Sequence, residues 1–124
     1  MSKKIIFCAV LVFFALSMNA ALSGMEYPQE LNLVSAPYPG ATIVQTTNIS
    51  GTVMVTMESN DNLDSIFEFY KNELPANGWT ITAETRQQGH AGLIGEKGSN
   101  NGIVNLGAGQ SGKSMITIML APKK

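Results

Sequence analysis

The chain has 124 residues, 44% of them hydrophobic and 14% charged, with a formal net charge of −1. That length supports one domain with its own core and leaves no room for two. The balance has no basic stripe, which excludes a nucleic-acid binder, because neutralised phosphates supply most of that affinity.

The first residues, MSKKIIFCAVLVFFALSMNAALSG, set the compartment. Lys3 and Lys4 form a basic start, Ile5 to Leu16 is an unbroken apolar run, and Ala20, Ala21, Ser23 and Gly24 are small. This is the layout of a signal peptide. The run has 12 residues, whereas a spanning helix needs roughly 20, so no stable membrane span is expected after cleavage. Ala21-Leu22-Ser23 places a cut before Gly24, making residues 1–23 the signal and the protein exported, to the periplasm or the exterior. Cys8 is the only cysteine, and it leaves with the signal. The exported chain therefore rests on its core, with no disulfide framework. Residues 24–124 keep six of the eight Lys and Arg and all nine Asp and Glu, a net charge of −3.

Residues 24–37 carry prolines and no clear period and read as an extended lead-in to a single domain over 38–124. Tyr38-Pro39-Gly40 is a turn. Ala41–Thr47 and Thr52–Glu58 read as a β-hairpin around Asn48-Ile49-Ser50-Gly51. In its second arm Val53, Val55 and Met57 point one way, and Thr52, Met54 and Thr56 the other. A helix follows. Ser59, Asn60 and Asp61 are candidate N-caps, and Leu63, Ile66, Phe67, Tyr70 and Leu74 form one apolar stripe at helical period. Gly78 is the left-handed stop. Phe69 lies off the stripe and suits either packing against the lead-in or a partner contact. Trp79–Thr85 alternates, with Trp79, Ile81 and Ala83 inward and Thr82 and Glu84 outward. Residues 86–102 read as a glycine-rich loop with a short strand at Leu93-Ile94. Ile103–Leu106 and Met115–Leu120 are the last strands. The order ββαββββ predicts an α+β two-layer sandwich, an antiparallel sheet with one helix on one face.

Gly107-Ala108-Gly109-Gln110-Ser111-Gly112-Lys113-Ser114 matches the phosphate-loop pattern G-x-x-x-x-G-K-[ST] at every fixed position. Such a loop must open a helix whose N-terminal amides face the phosphates. Here a period-2 run follows, Met-Ile-Thr-Ile-Met-Leu, so a hairpin turn is expected and no nucleotide. His90 is the only histidine and falls in the glycine-rich loop. With no exported cysteine beside it, a metal site would need carboxylates. No G-x-S-x-G elbow is present. Methionine thioethers are soft copper(I) ligands, but Met115 and Met119 lie about 13 Å apart along a strand. Met54, Met115 and Met119 instead share the face away from the helix, where adjacent strands would make an apolar patch for a partner.

Tyr38-Pro39-Gly40-Ala41, then Phe69-Tyr70-Lys71-Asn72-Glu73-Leu74 and Gly78-Trp79, resemble the pattern YPGA, hairpin, helix ending FYxxxL, then GW. It is the pattern of a type of small exported bacterial domain of uncharacterised function, and the likeness covers most of residues 37–121. The resemblance implies a bacterial cell-envelope protein; it does not imply a catalytic residue. The expectation is a non-enzymatic domain without cofactor or metal, binding a cell-envelope protein or other envelope component or serving as a structural module. Its candidate partner surface is Met54, Phe69, Met115 and Met119. The alternative is a small-ligand or metal binder using the glycine-rich loops 86–114.

Overall fold

Six antiparallel strands form one sheet over residues 42–122. A computed structural model describes residues 25–123; the apolar run, the cleavage point and Cys8 lie outside them. The strands are β1 (Thr42–Ile49), β2 (Thr52–Ser59), β3 (Thr80–Gln87), β4 (His90–Lys97), β5 (Asn100–Ala108) and β6 (Ser114–Pro122). A single helix, α1 (Leu63–Ala76), lies between β2 and β3 in sequence. The spatial order is β1-β2-β6-β5-β4-β3. β1 with β2, and β3 through β6 in succession, pair as hairpins, and one long-range pairing, β2 with β6, joins the first hairpin to the rest.

Turn chemistry sets the first register. Ser50 and Gly51 both have positive φ, 52° and 84°, which a two-residue turn matching the twist of its strands requires. This tightens the expected turn by two residues, and β1 runs to Ile49. The glycine-rich tract is likewise mostly strand, holding the end of β3, all of β4 and the start of β5, with two-residue connections on either side of β4. His90 is therefore the first residue of β4 and not part of a flexible loop.

The helix begins one residue beyond the expected caps. The Asn62 side chain accepts from the Ser65 N–H at 2.8 Å, satisfying one free amide of the first turn. Ser59 and Asp61 brace the approach instead. Ser59 Oγ accepts from the Asp61 N–H at 3.0 Å, and Ser114 Oγ donates to the Asp61 carbonyl at 2.7 Å. At the other end the Gly78 N–H bonds to Pro75 and the Trp79 N–H to Leu74, both at 3.0 Å, with Gly78 at φ 90°. These are the paired bonds of a left-handed helix cap. Lys97 Nζ donates to the Asn77 carbonyl at 2.7 Å, placing a cation at the negative end of the helix dipole.

The core lies between the sheet and a composite layer. Ile66, Phe67, Tyr70 and Leu74 of α1 are buried as the stripe predicts, and α1 covers β3, β4 and β5. The other half is covered by the lead-in, which departs from the extended reading. It forms a 3-10 turn over Gln29–Leu33 against β2 and β6, with Leu31 and Val34 fully buried. Trp79 Nε1 donates to the Leu33 carbonyl at 2.8 Å, and Asn77 Nδ2 to the Val34 carbonyl at 3.0 Å. These two bonds pin the segment to the end of the helix. Beneath Trp79 the register partners Gly95 and Gly102 make a flat floor. A Cβ at Gly102 would meet the indole ring at 3.0 Å.

One expectation about facing is overturned. β3 carries a bulge between Ile81 and Ala83, so the alternation slips by one residue. Ala83 pairs with Ile94 on the open face. Glu84 pairs with Leu93 on the helix side and meets Lys71 of α1 at 3.3 Å.

Candidate functional site

Among the described residues the sheet has one covered face and one uncovered face, and strand register fixes what the uncovered face presents. Met54 pairs with Met119, Met119 with Ile103, Ile103 with Ile94 and Ile94 with Ala83. Five strands thus contribute one in-register row of apolar side chains, of which Met54, Met119 and Ile103 are half-buried and Ile94 is 41% exposed. The adjacent row is polar: Gln45, Thr56, Thr117, Asn105, Gly92 and Thr85. The next places Glu58, Met115, Gly107, His90 and Gln87 side by side.

Missing side chains hollow this face in two places. One concavity of about 240 Å³ lies over Gly107 and is bounded by His90, Asn105, Met115 and Thr117. A Cβ at Gly107 would meet nothing within 4 Å, so the space there is open. The second, about 290 Å³, lies over Gly92 and is bounded by Thr85, His90, Ile94, Ile103 and Asn105. His90 and Asn105 line both. Together the hollows offer an apolar wall, Ile94 and Ile103, and a group of neutral hydrogen-bonding side chains. They match binding sites in kind, mostly apolar with a few placed polar groups, though each is smaller than the roughly 300–1,000 Å³ of a usual ligand pocket.

The expected partner residues divide. Met54 and Met119 are direct register partners, and Met115 shares their face two rows along, next to Glu58. Phe69 lies on the other layer. Its ring packs edge-on against Tyr38 and Tyr70, with centroids 5.0 Å apart in both pairs. Neither Met54 nor Met119 lines a hollow. The alternation of β2 and β6 placed the methionines; Ile94, Ile103, Asn105 and His90 needed the pairing of β4 with β5.

The phosphate-loop pattern spans the end of β5, a 3-10 turn at Gln110–Gly112 and the start of β6. It opens a strand and not a helix, and the Gly109 and Lys113 amides bond within the turn. Ser114 is buried. Among the described residues no group of three or more His, Cys, Asp or Glu could hold a metal ion, and no helix is long and apolar enough to cross a membrane.

The tyrosines sit on the covered side. Tyr38 donates to Asp61 Oδ2 at 2.6 Å, and its hydroxyl is pushed up to about 12, by burial first and then by that carboxylate. Burial also raises Tyr27 and Tyr70. Among the described residues the Tyr70 hydroxyl has no hydrogen-bond partner.

Residues 40–122, from the turn before β1 to the end of β6, match the model of the START domain-like family. The chain belongs to the START domain-like family. The lead-in lies before the matched residues of this START domain-like chain, although it supplies Leu31 and Val34 to the core. An uncharacterized protein of Archaeoglobus fulgidus is 30% identical over 67 residues, 51% of this chain and 73% of that protein.

Proposed function

We propose that this domain is a non-enzymatic binding module of the bacterial cell envelope. It takes an amphipathic molecule with an aliphatic body on the uncovered face of its sheet. The observation that carries this reading is the in-register row Met54–Met119–Ile103–Ile94–Ala83 beside two hollows that share His90 and Asn105. Membership of the START domain-like family supports ligand binding. The uncovered strands carry no Phe, Tyr or Trp, so the broad ring platforms on which sugars and bases stack are missing there. Methionine and isoleucine fit flexible aliphatic groups. Asn105, His90, Thr85 and Thr117 supply hydrogen bonds for one polar end.

The test is calorimetric titration of the exported protein with a medium-chain fatty acid and with the matching alcohol. Saturable heat that Ile103→Lys abolishes is expected. Absence of heat with both probes contradicts the reading.

The position of Met54 and Met119, outside both hollows, favours a second reading, contact with a cell-envelope protein across the β2–β6 half. In-cell cross-linking decides it. A captured envelope protein lost with Met54→Lys and Met119→Lys supports this contact, and unchanged capture removes it.

A further inference from the structure

The two outer strands of the sheet are protected unequally. On β3, Glu84 reaches Lys71, and Arg86 pairs with Asp64 and Glu68 of α1. β1, Thr-Ile-Val-Gln-Thr-Thr-Asn-Ile, has no charged residue. Its Val44 and Ile49 are 38% and 66% exposed. A free edge is a template for another strand, and charge is a usual defence against that. The bulge between Ile43 and Gln45 interrupts β1 only at its start, and from Gln45 to Ile49 its register with β2 is unbroken.

Ladder geometry shows which backbone groups are free. The two-residue turn at Ser50-Gly51 makes Ile49 and Thr52 a hydrogen-bonded pair. By the antiparallel alternation Thr47 and Gln45 then bond to β2, while the N–H and C=O of Thr46 and Asn48 point away from the sheet.

We propose that β1 pairs antiparallel with β1 of a second copy of this chain about a two-fold axis at Thr47. In this register each Thr46 faces Asn48 of the other copy, so both outward residues exchange hydrogen bonds twice. Thr47 meets its own counterpart as a non-hydrogen-bonded pair. A register centred on Thr46 runs into the bulge at Val44, and one centred on Asn48 runs into the turn. An uncharged strand meets its own copy without like-charge repulsion, as an isologous contact requires. Thr47 is the register partner of Met54. The two-fold therefore places the apolar rows of two sheets end to end across the joint. Pairing of β1 is independent of what the uncovered face binds.

Sedimentation of the exported protein over a wide concentration range is expected to show a monomer–dimer equilibrium. Thr46→Lys with Asn48→Lys opposes like charges twice and weakens association by about tenfold. Thr46→Lys with Asn48→Glu opposes unlike charges and restores it, which separates loss of pairing from loss of fold. In a Cys8→Ser background Thr47→Cys cross-links on mild oxidation, since such a pair brings Cα atoms to about 4.5 Å, and Thr42→Cys does not. A protein that stays monomeric, a double-lysine variant that dimerises like the parent, or a lysine–glutamate variant that fails to recover overturns the proposal.

Discussion

The two faces of this sheet are built from the same strands and do different work. On the covered face Val55, Met57, Val104, Ile116 and Ile118 are fully buried. One residue along each strand, Met54, Ile103, Met115, Thr117 and Met119 are only half-buried. Burial of apolar area stabilises the fold by about 25 cal/mol per Å², so most of that stabilisation lies on one side. The other side is left free to vary in chemistry. This division lets the proposed binding surface coexist with a small core that no disulfide supports.

The largest test of the contrast compares isoleucines from opposite faces. Ile118→Ala leaves a cavity under full cover and is expected to cost about 2–5 kcal/mol. Ile103→Ala, on the open face, should cost less than about 1 kcal/mol in the same denaturant titration. Equal losses would mean that the open face is part of the core.

A glycine pair sharpens the comparison. Gly102→Ala drives a methyl against the Trp79 ring at 3.0 Å and is expected to cost about 1–3 kcal/mol as overpacking. Gly107→Ala adds its methyl to open space. It should leave thermal stability nearly unchanged and weaken binding by filling a hollow. A melting-temperature drop at Gly107 as large as that at Gly102 would contradict this account of the glycine-rich strands.

The smallest effect near neutral pH comes from the tyrosines, which lie only on the covered side. Their folded-state values are raised above the ordinary 10.0, so the protonated form is favoured by folding. Their contribution is fully present below about pH 10 and is lost as pH rises, for Tyr38 through about 12. Above pH 10 each such tyrosine lowers stability by up to about 1.4 kcal/mol per pH unit. Denaturation midpoints that stay level to pH 11 would contradict the buried hydroxyls.

Period and capping made much of the fold legible. The helix stripe from Leu63 to Leu74 and the alternation of β2 and β6 follow from spacing alone. The inward face of Trp79–Thr85 was misread because a bulge adds one residue without a mark in composition. In β4 and β5 only Leu93-Ile94 and Ile103–Leu106 read as strand, because the flanking glycines suggest turns; Gly95 and Gly102 instead make room for an indole that the sequence places elsewhere. The lead-in lacks a period because it packs through single anchors, Leu31 and Val34. Half of the candidate site was visible as outward methionines. The rest depends on strand order, above all on β2 meeting β6, a pairing no local pattern encodes.

The most direct measurement is an amide chemical-shift titration of the protein with a medium-chain fatty acid. The account predicts saturable shifts concentrated at Ala83, Ile94, Ile103, Asn105 and Met119, with the helix and the lead-in unmoved. Shifts centred on α1 and the segment around Leu31, with the open face silent, would contradict it.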